Sequence, residues 1–520
     1  MRSRGFDLVP IILGLVLICC VASYSQQLTS AEAWSRQLGG PGADSANGLA
    51  IDPIGDVFVV GTFAGTVDFG GGPVTSFGGS DIFVAKYSGA TGAHMWSNHY
   101  LAPSNDFGSG VAVDTSGNIF VTGSNTAGGP GVILMKISGA DGSQIWLRNI
   151  GDFTSVAIKV LVAVDGNGNP VITWGSVPPA IQKYDGLTGA ILWSRTMIAS
   201  PSASTNGIAI QPVTNAVYII GGFHGGLNFG AGTPGWTTPP GGGTDAYLVK
   251  FAGADGSYLW SDAWGLGHEI GNSVAVDNNG GVFFTGSFGS PQVGFGGALL
   301  NNSGGCSAFL VKYYGDTHAW SRAFGGSGPT DCSSGTGVAL DAFGNPFLTG
   351  TVQGSSNFGG GVTSAGVVVA AYVGSSGAYQ WSRGFSTGSV AAIAVDSPAH
   401  PFLAGTFASP TIDLGSGVLT NAGGSDGFIA KLSVAPTAAL VNVSGRVRNA
   451  GGRGVVGAIV SVVDGAGQTR RVRTNAFGYF SFSGLTAGQS CVFIASAKNI
   501  GTITRIIGLT DDISHLDLMP

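Results

Sequence analysis

Short apolar runs rich in Val, Ile, Phe and Ala recur along residues 31–434, separated by clusters of Gly, Asn, Asp and Ser. Runs of that length between such breakers predict β-strands rather than helices. The first unit reads "GLAIDPIGDVFVVGTF", then a variable glycine-rich loop, then "DIFVAKYSGATGAHMW". Each unit therefore predicts four strands, A to D. The A–B turn returns as "VDTSGN" at 113, "VDGNGN" at 164, "VDNNGG" at 276 and "LDAFGN" at 340. An Asp there can accept bonds from the turn amides, and Gly or Asn fills the left-handed positions.

The strand D tryptophans are Trp34, Trp96, Trp146, Trp193, Trp260, Trp320 and Trp381. Self-similarity at this period signals a propeller or a solenoid. Seven four-stranded sheets bury both faces when they are arranged radially. The last unit has strands A to C ("AAIAVD", "PFLAGTF", "GFIAKLS") but no tryptophan strand after Lys431, whereas "AWSRQLG" has no strands A to C before it. Residues 31–38 are thus expected to complete blade seven as its outer strand. At Ala435 the pattern stops, and short alternating strands follow. The expected fold class is all-β: a seven-bladed β-propeller over 26–435, then a small β-sandwich over 436–520.

Both parts resemble known families. Ala112 to Gly123 and Asp81 to Lys86 carry the pattern of bacterial SBBP-type β-propeller repeats, with blades two and three abbreviated. "VSGRVRNAGGRGVVGAIVSV" (443–462) and "TNAFGYFSFSGLTAG" (474–488) resemble the carboxypeptidase regulatory-like domain, a transthyretin-like sandwich. That resemblance implies an exported accessory or adhesive module and no peptidase activity. "YDGLTGAILW", Tyr184 to Trp193, is similar to the tryptophan-docking motif of quinoprotein propellers, where it locks blades together. The adjacent cysteines found near the cofactor in many such enzymes occur here only as Cys19 and Cys20.

Composition sharpens this picture. The 520 residues include 91 Gly, only 10% are charged and 44% are hydrophobic, which fits turn-rich β-structure better than disorder. Residues 26–435 hold 12 Lys and Arg against 23 Asp and Glu, and 436–520 hold 8 against 4. Neither stretch has the dense basic stripe of a nucleic-acid binder. Arg2 and Arg4 precede an apolar run from Leu8 to Val21 and then small polar residues, the pattern of a secretory signal peptide over 1–25. Retention as an anchor, or lipidation at the cysteine pair, would give the only membrane attachment. Export to the bacterial surface permits a structural disulfide, and Cys306 with Cys332 is the pair close in sequence.

Repetition also assigns most of the charge. Lys86, Lys136, Lys183, Lys250, Lys312 and Lys431 share one strand C position, where blade six has Ala371. Arg36, Arg148, Arg195, Arg322 and Arg383 each follow a repeat tryptophan by two residues. These are 11 of the 12 basic residues in 26–435, and the twelfth is Lys159. Asp52, Asp114, Asp165, Asp277, Asp341 and Asp396 end strand A, with Gln211 in blade four. Residues repeated from blade to blade read as scaffold, the lysine stems packing between blades with their ammonium groups on loop carbonyls or the blade rim, and the aspartates holding turns. Since one lysine and one aspartate are missing from different blades, a Lys–Asp bridge is not expected to be obligatory.

No catalytic constellation emerges. The only glutamates are Glu32 and Glu269, "GHEIG" at 267 lacks the second His of a zinc helix, and Asp106 and Asp152 have no recurrent partner. No cofactor is expected apart from a structural calcium, for which "GGSD" at 78 and 423 and "GGTD" at 242 offer an Asp beside pliant backbone. Phe69, Phe229, Phe295 and Phe358 are expected to pin the B–C loops. Trp236 and His224 have no repeat counterpart and are the binding candidates. The reading is a monomeric, non-catalytic binding or adhesion protein for an extracellular polysaccharide or surface protein. The alternatives are a propeller lyase or hydrolase acting on carbohydrate, a quinoprotein, and a structural spacer.

Overall fold

The computed structural model describes residues 33–519 apart from 101–104, 127–130, 153–158, 176–178, 231–232, 234, 239–241, 398, 434–439, 464–468, 487–488, 499 and 510–512. The expected signal segment, Cys19, Cys20 and Glu32 lie outside the described residues, as does the start of the change in pattern at 435. The chain is all-β, with no helix among the described residues.

Seven antiparallel sheets, each built on a four-strand path, account for residues 34–431. Their innermost strands are Ser45–Ile51, Phe107–Val113, Val160–Val164, Ile198–Ile210, Glu269–Val276, Cys332–Leu340 and Ser389–Val395. Each neighbours the innermost strand of the next sheet, and Ser389–Val395 returns to Ser45–Ile51, closing a ring. Trp34–Leu38 is the outermost strand of the seventh sheet and runs antiparallel to Asp426–Lys431, with Trp34 opposite Lys431. Strands in the middle of a sheet, such as Val57–Phe63 and Asp81–Tyr87, are buried at every residue. Neighbouring sheets cover both of their faces, so these strands read as continuous apolar runs without alternation.

Interfaces between sheets show what the repeat residues do. The Nε1 of Trp34, Trp96, Trp146, Trp193 and Trp320 donates to the carbonyl of Gly89, Gly139, Gly186, Gly253 and Gly374, at 3.1–3.3 Å. Each acceptor lies in the C–D turn of the next sheet. The Nε of Arg36, Arg148, Arg195 and Arg322 reaches the carbonyl of Gly92, Gly189, Gly256 and Gly377 in the same turns. Gly256 has φ +70°, and a Cβ there would lie 2.7 Å from the Trp193 ring, so only glycine lets the indole lie flat on this turn. Two interfaces differ. Sheet five has a two-residue turn at Gly315 and Asp316, and the Trp260 Nε1 facing that interface has no hydrogen-bond partner among the described residues. In sheet seven, strands C and D come from distant parts of the chain, so no C–D turn exists for Trp381.

The lysines and aspartates do more than expected. Lys86, Lys136, Lys183 and Lys312 donate to the same four carbonyls, Gly139, Gly186, Gly253 and Gly374, that take the indole N–H groups. Ion pairs accompany them: Lys86 with Asp52 at 3.1 Å, Lys136 with Asp114 at 3.3 Å, Lys183 with Asp165 at 2.7 Å, and Lys431 with Asp396 at 3.4 Å. The lysines thus rest on loop carbonyls as expected, and ion pairs join those contacts in some blades. One carboxylate serves two tasks: Asp114 Oδ1 accepts from the Ser116 and Asn118 amides, and Oδ2 faces the lysine. In blade four, where Gln211 replaces the aspartate, Lys250 lies over the Tyr218 ring at 5.1 Å.

Cys306 and Cys332 form a disulfide between the fifth and sixth sheets. It closes a loop of sequence separation 26, for which chain entropy gives roughly 3 kcal/mol of stabilisation. The double variant Cys306→Ser, Cys332→Ser should lower propeller stability by about that amount, measured as an earlier urea midpoint. Adding reductant to the unmodified protein should reproduce the shift, and it should leave the double variant unchanged.

Residues 440–518 form a three-stranded and a four-stranded sheet. Val443, Val447, Val460, Val462, Phe480, Phe482, Cys491 and Phe493 fill the core of this unit. Leu440–Val447 pairs in parallel with Ile513–Leu518 and antiparallel with Tyr479–Thr486.

Candidate functional site in the central channel

Six of the seven innermost strands carry a β-bulge at the same place. The register slips across Ala46/Gly48, Gly108/Gly110, Thr205/Gly207, Gly271/Ser273, Gly335/Gly337 and Val390/Ala392. A bulge leaves one residue outside the ladder and re-aims its side chain. The residues so released are Asn47, Ser109, Asn206, Asn272, Thr336 and Ala391, and all six line one cavity of about 570 Å³. The third sheet shows no such slip. There Lys159, the residue before Val160–Val164, lines the same cavity.

The wall is ordered by its own hydrogen bonds. Asn47 Nδ2 donates to Gly108 O at 2.7 Å, Asn206 Nδ2 to Gly271 O at 2.9 Å, and Asn272 Nδ2 to Gly335 O at 2.8 Å. Each carboxamide thus clasps the bulge of the next sheet, and its oxygen receives no donor among the described residues. Phe107, Ile270 and Val390 add apolar surface, and no carboxylate lines the cavity among the described residues. Lys159 Nζ approaches Asn206 O at 3.5 Å. Its side chain is exposed in the channel, and desolvation by the surrounding protein lowers its pKa from the usual lysine value.

The residues singled out from sequence lie elsewhere. Trp236 sits in Gly235–Thr237, half-buried against the core of the fourth sheet, with Nε1 donating to Ser261 Oγ at 3.0 Å. His224 is exposed, with Nδ1 2.7 Å from Gly243 O. Neither lines the channel. Phe69, Phe229, Phe295 and Phe358 are buried, and the hydroxyls of Tyr87, Tyr313 and Tyr372 donate to the carbonyls of Phe69, Phe295 and Phe358. The B–C loops are therefore tied at both the ring and the backbone of that phenylalanine.

Acidic candidates are committed as well. Asp245 and Glu269 lie side by side; burial first, and the Glu269 charge second, raise the Asp245 carboxyl above the usual range. Both are sealed from solvent, at 6% and 0% exposure, and Glu269 Oε2 accepts from the amides of Leu266, Gly267 and His268. Asp81 and Asp426 of the "GGSD" segments are buried, with Oδ2 taken by the amides of Phe77 and Ala422. No three His, Cys, Asp or Glu side chains converge as metal ligands among the described residues. Asp106 is fully buried. Asp152 ends Gln144–Asp152, opposite Gly131.

Comparison with known protein families agrees with this architecture. Residues 33–62 and 86–127 match the beta-propeller repeat family SBBP, and residues 442–517 match the carboxypeptidase regulatory-like domain. No curated protein matches the chain. Similar solved structures include a quinohemoprotein alcohol dehydrogenase from Comamonas testosteroni, 13% identical over 79% of this chain and 78% of that one, with a TM-score of 0.39. BamB from Moraxella catarrhalis is 12% identical over 87% of this chain and 99% of its own, with a TM-score of 0.37. A chain of a mitotic checkpoint complex is 10% identical over 82% and 98%, at 0.43. The protein is an all-β chain that carries SBBP beta-propeller repeats and, after them, a carboxypeptidase regulatory-like domain.

Proposed function

We propose that the protein is a non-catalytic binding module, exported to the bacterial surface, that takes its ligand in the central channel. One observation carries this reading: six bulges each turn one residue into a single cavity that no carboxylate lines among the described residues. Export is supported by the charged, apolar and small-residue sequence of the first 25 residues and by a disulfide that suits an oxidising compartment. The carboxylates nearest to an acid–base pair, Asp245 and Glu269, are out of a substrate's reach, which favours binding over hydrolysis.

The test is a pull-down of the mature chain on immobilised bacterial polysaccharides and cell-wall preparations. Retention with the polymer recovered intact is the expected result. Consumption of the polymer would assign an enzyme instead, and failure to bind any surface polymer would leave a spacer.

A further inference from the structure

We infer that the channel receives an acidic sugar residue, its carboxylate on Lys159 and its hydroxyls on the carboxamide oxygens of Asn47, Asn206 and Asn272. This rests on the binding reading above and adds the class of ligand. Lys159 is the one cation of the propeller that stands outside the repeat positions. Every other channel-facing position named above is neutral, so its charge is uncompensated where it stands. The scaffold lysines show what a structural ammonium looks like in this fold: Lys86 has two carboxylates within 3.3 Å, an aromatic face and a carbonyl. Among the described residues, Lys159 has a single carbonyl contact at 3.5 Å. An ammonium that faces a channel with no counter-charge among the described residues attracts an anion.

The rest of the wall narrows the anion. A free sulfate or phosphate would need donors on several sides, whereas each of the three asparagines gives an N–H to a neighbouring carbonyl and keeps a carboxamide oxygen that receives no donor among the described residues. Acceptor oxygens select a ligand that donates, which means hydroxyl groups. Phe107, Ile270 and Val390 supply apolar surface for the C–H face of a ring. One carboxylate, several hydroxyls and an apolar face together describe a uronic acid. The cavity lies within the size range of small-ligand sites.

The probes are galacturonic and glucuronic acid oligomers, the matching neutral galactose and glucose oligomers, and sodium sulfate, titrated calorimetrically into the full mature chain. Uronate oligomers should bind, the neutral oligomers should bind about 10- to 100-fold more weakly, as loss of a charged hydrogen bond implies, and sulfate should not compete. Lys159→Gln should lose the same factor for uronates at unchanged Tm, and Asn206→Ala should weaken uronates and neutral oligomers alike. Equal affinity for neutral oligomers, competition by sulfate, or full affinity in Lys159→Gln would overturn the inference. If surface polymers are retained and uronates are not bound, the binding reading stands and this inference falls; if nothing is retained, both fall.

Discussion

Lys86→Ala should destabilise the propeller by about 3–5 kcal/mol, the usual cost of removing one partner from a buried ion pair. The ammonium lies 3.1 Å from Asp52 and 3.3 Å from Asp56, with all three side chains at 15% exposure or less. Its removal leaves two carboxylates facing each other without a counter-charge. Blade six has solved the same problem. There the lysine position is Ala371, and Asn345 Nδ2 donates to Asp341 Oδ2 at 2.9 Å. Asn345 is the equivalent of Asp56, four residues beyond the strand A aspartate. Lys86→Ala combined with Asp56→Asn should therefore recover more than half of the loss, whereas Asp56→Asn alone should change stability little. Urea denaturation of the three variants measures this. A double variant no better than Lys86→Ala would mean that the lysine acts through its stem and the Gly139 carbonyl instead.

Trp193→Ala should cost about 3–5 kcal/mol, as for other buried aromatic truncations, and Trp260→Ala clearly less. Both residues occupy one repeat position, but only Trp193 meets a C–D turn that accepts its N–H, from Gly253, and lays a glycine under its ring. Trp193 is 7% exposed and belongs to a buried cluster, whereas Trp260 is only partly buried and its Nε1 is unpartnered. Thermal unfolding of the two variants side by side tests the contrast. Equal losses would show that ring packing alone carries the interface and that the turn bond contributes nothing.

These contrasts explain what could be read from the sequence. Strand order, turn chemistry and repeat period were visible because each rests on local residues recurring seven times. The sharing of one glycine carbonyl by a lysine and a tryptophan was not, since the acceptor belongs to the next unit, some 40 to 70 residues away. Bulges are differences in register between two strands, so Asn47, Asn206 and Asn272 looked like ordinary polar positions before an apolar run. A faint signal existed: a polar residue precedes the small residue in "NGLAID", "SGVAVD", "NGIAIQ" and "TGVALD". Lys159 was visible as the odd cation, but nothing local indicated that it faces a cavity. For Trp236 the sequence showed only the lack of a repeat counterpart, and its bond to Ser261, 25 residues away, was not legible there.

The pairing of Trp34–Leu38 with Asp426–Lys431 has a consequence for biosynthesis. The earliest strand of the ring bonds to one of the last, so at about 5–20 residues per second it waits roughly 20–80 s for its partner to be made. During that interval its hydrogen-bonding edge is unpaired and Trp34 lacks the cover of the seventh sheet. A chaperone that holds this segment on the nascent chain, or transport of the chain before the ring can close, would keep it from pairing with another molecule. The same seam makes the propeller a late and all-or-none acquisition: six sheets can stand as an open arc, but the channel exists only once the two ends of that arc have met.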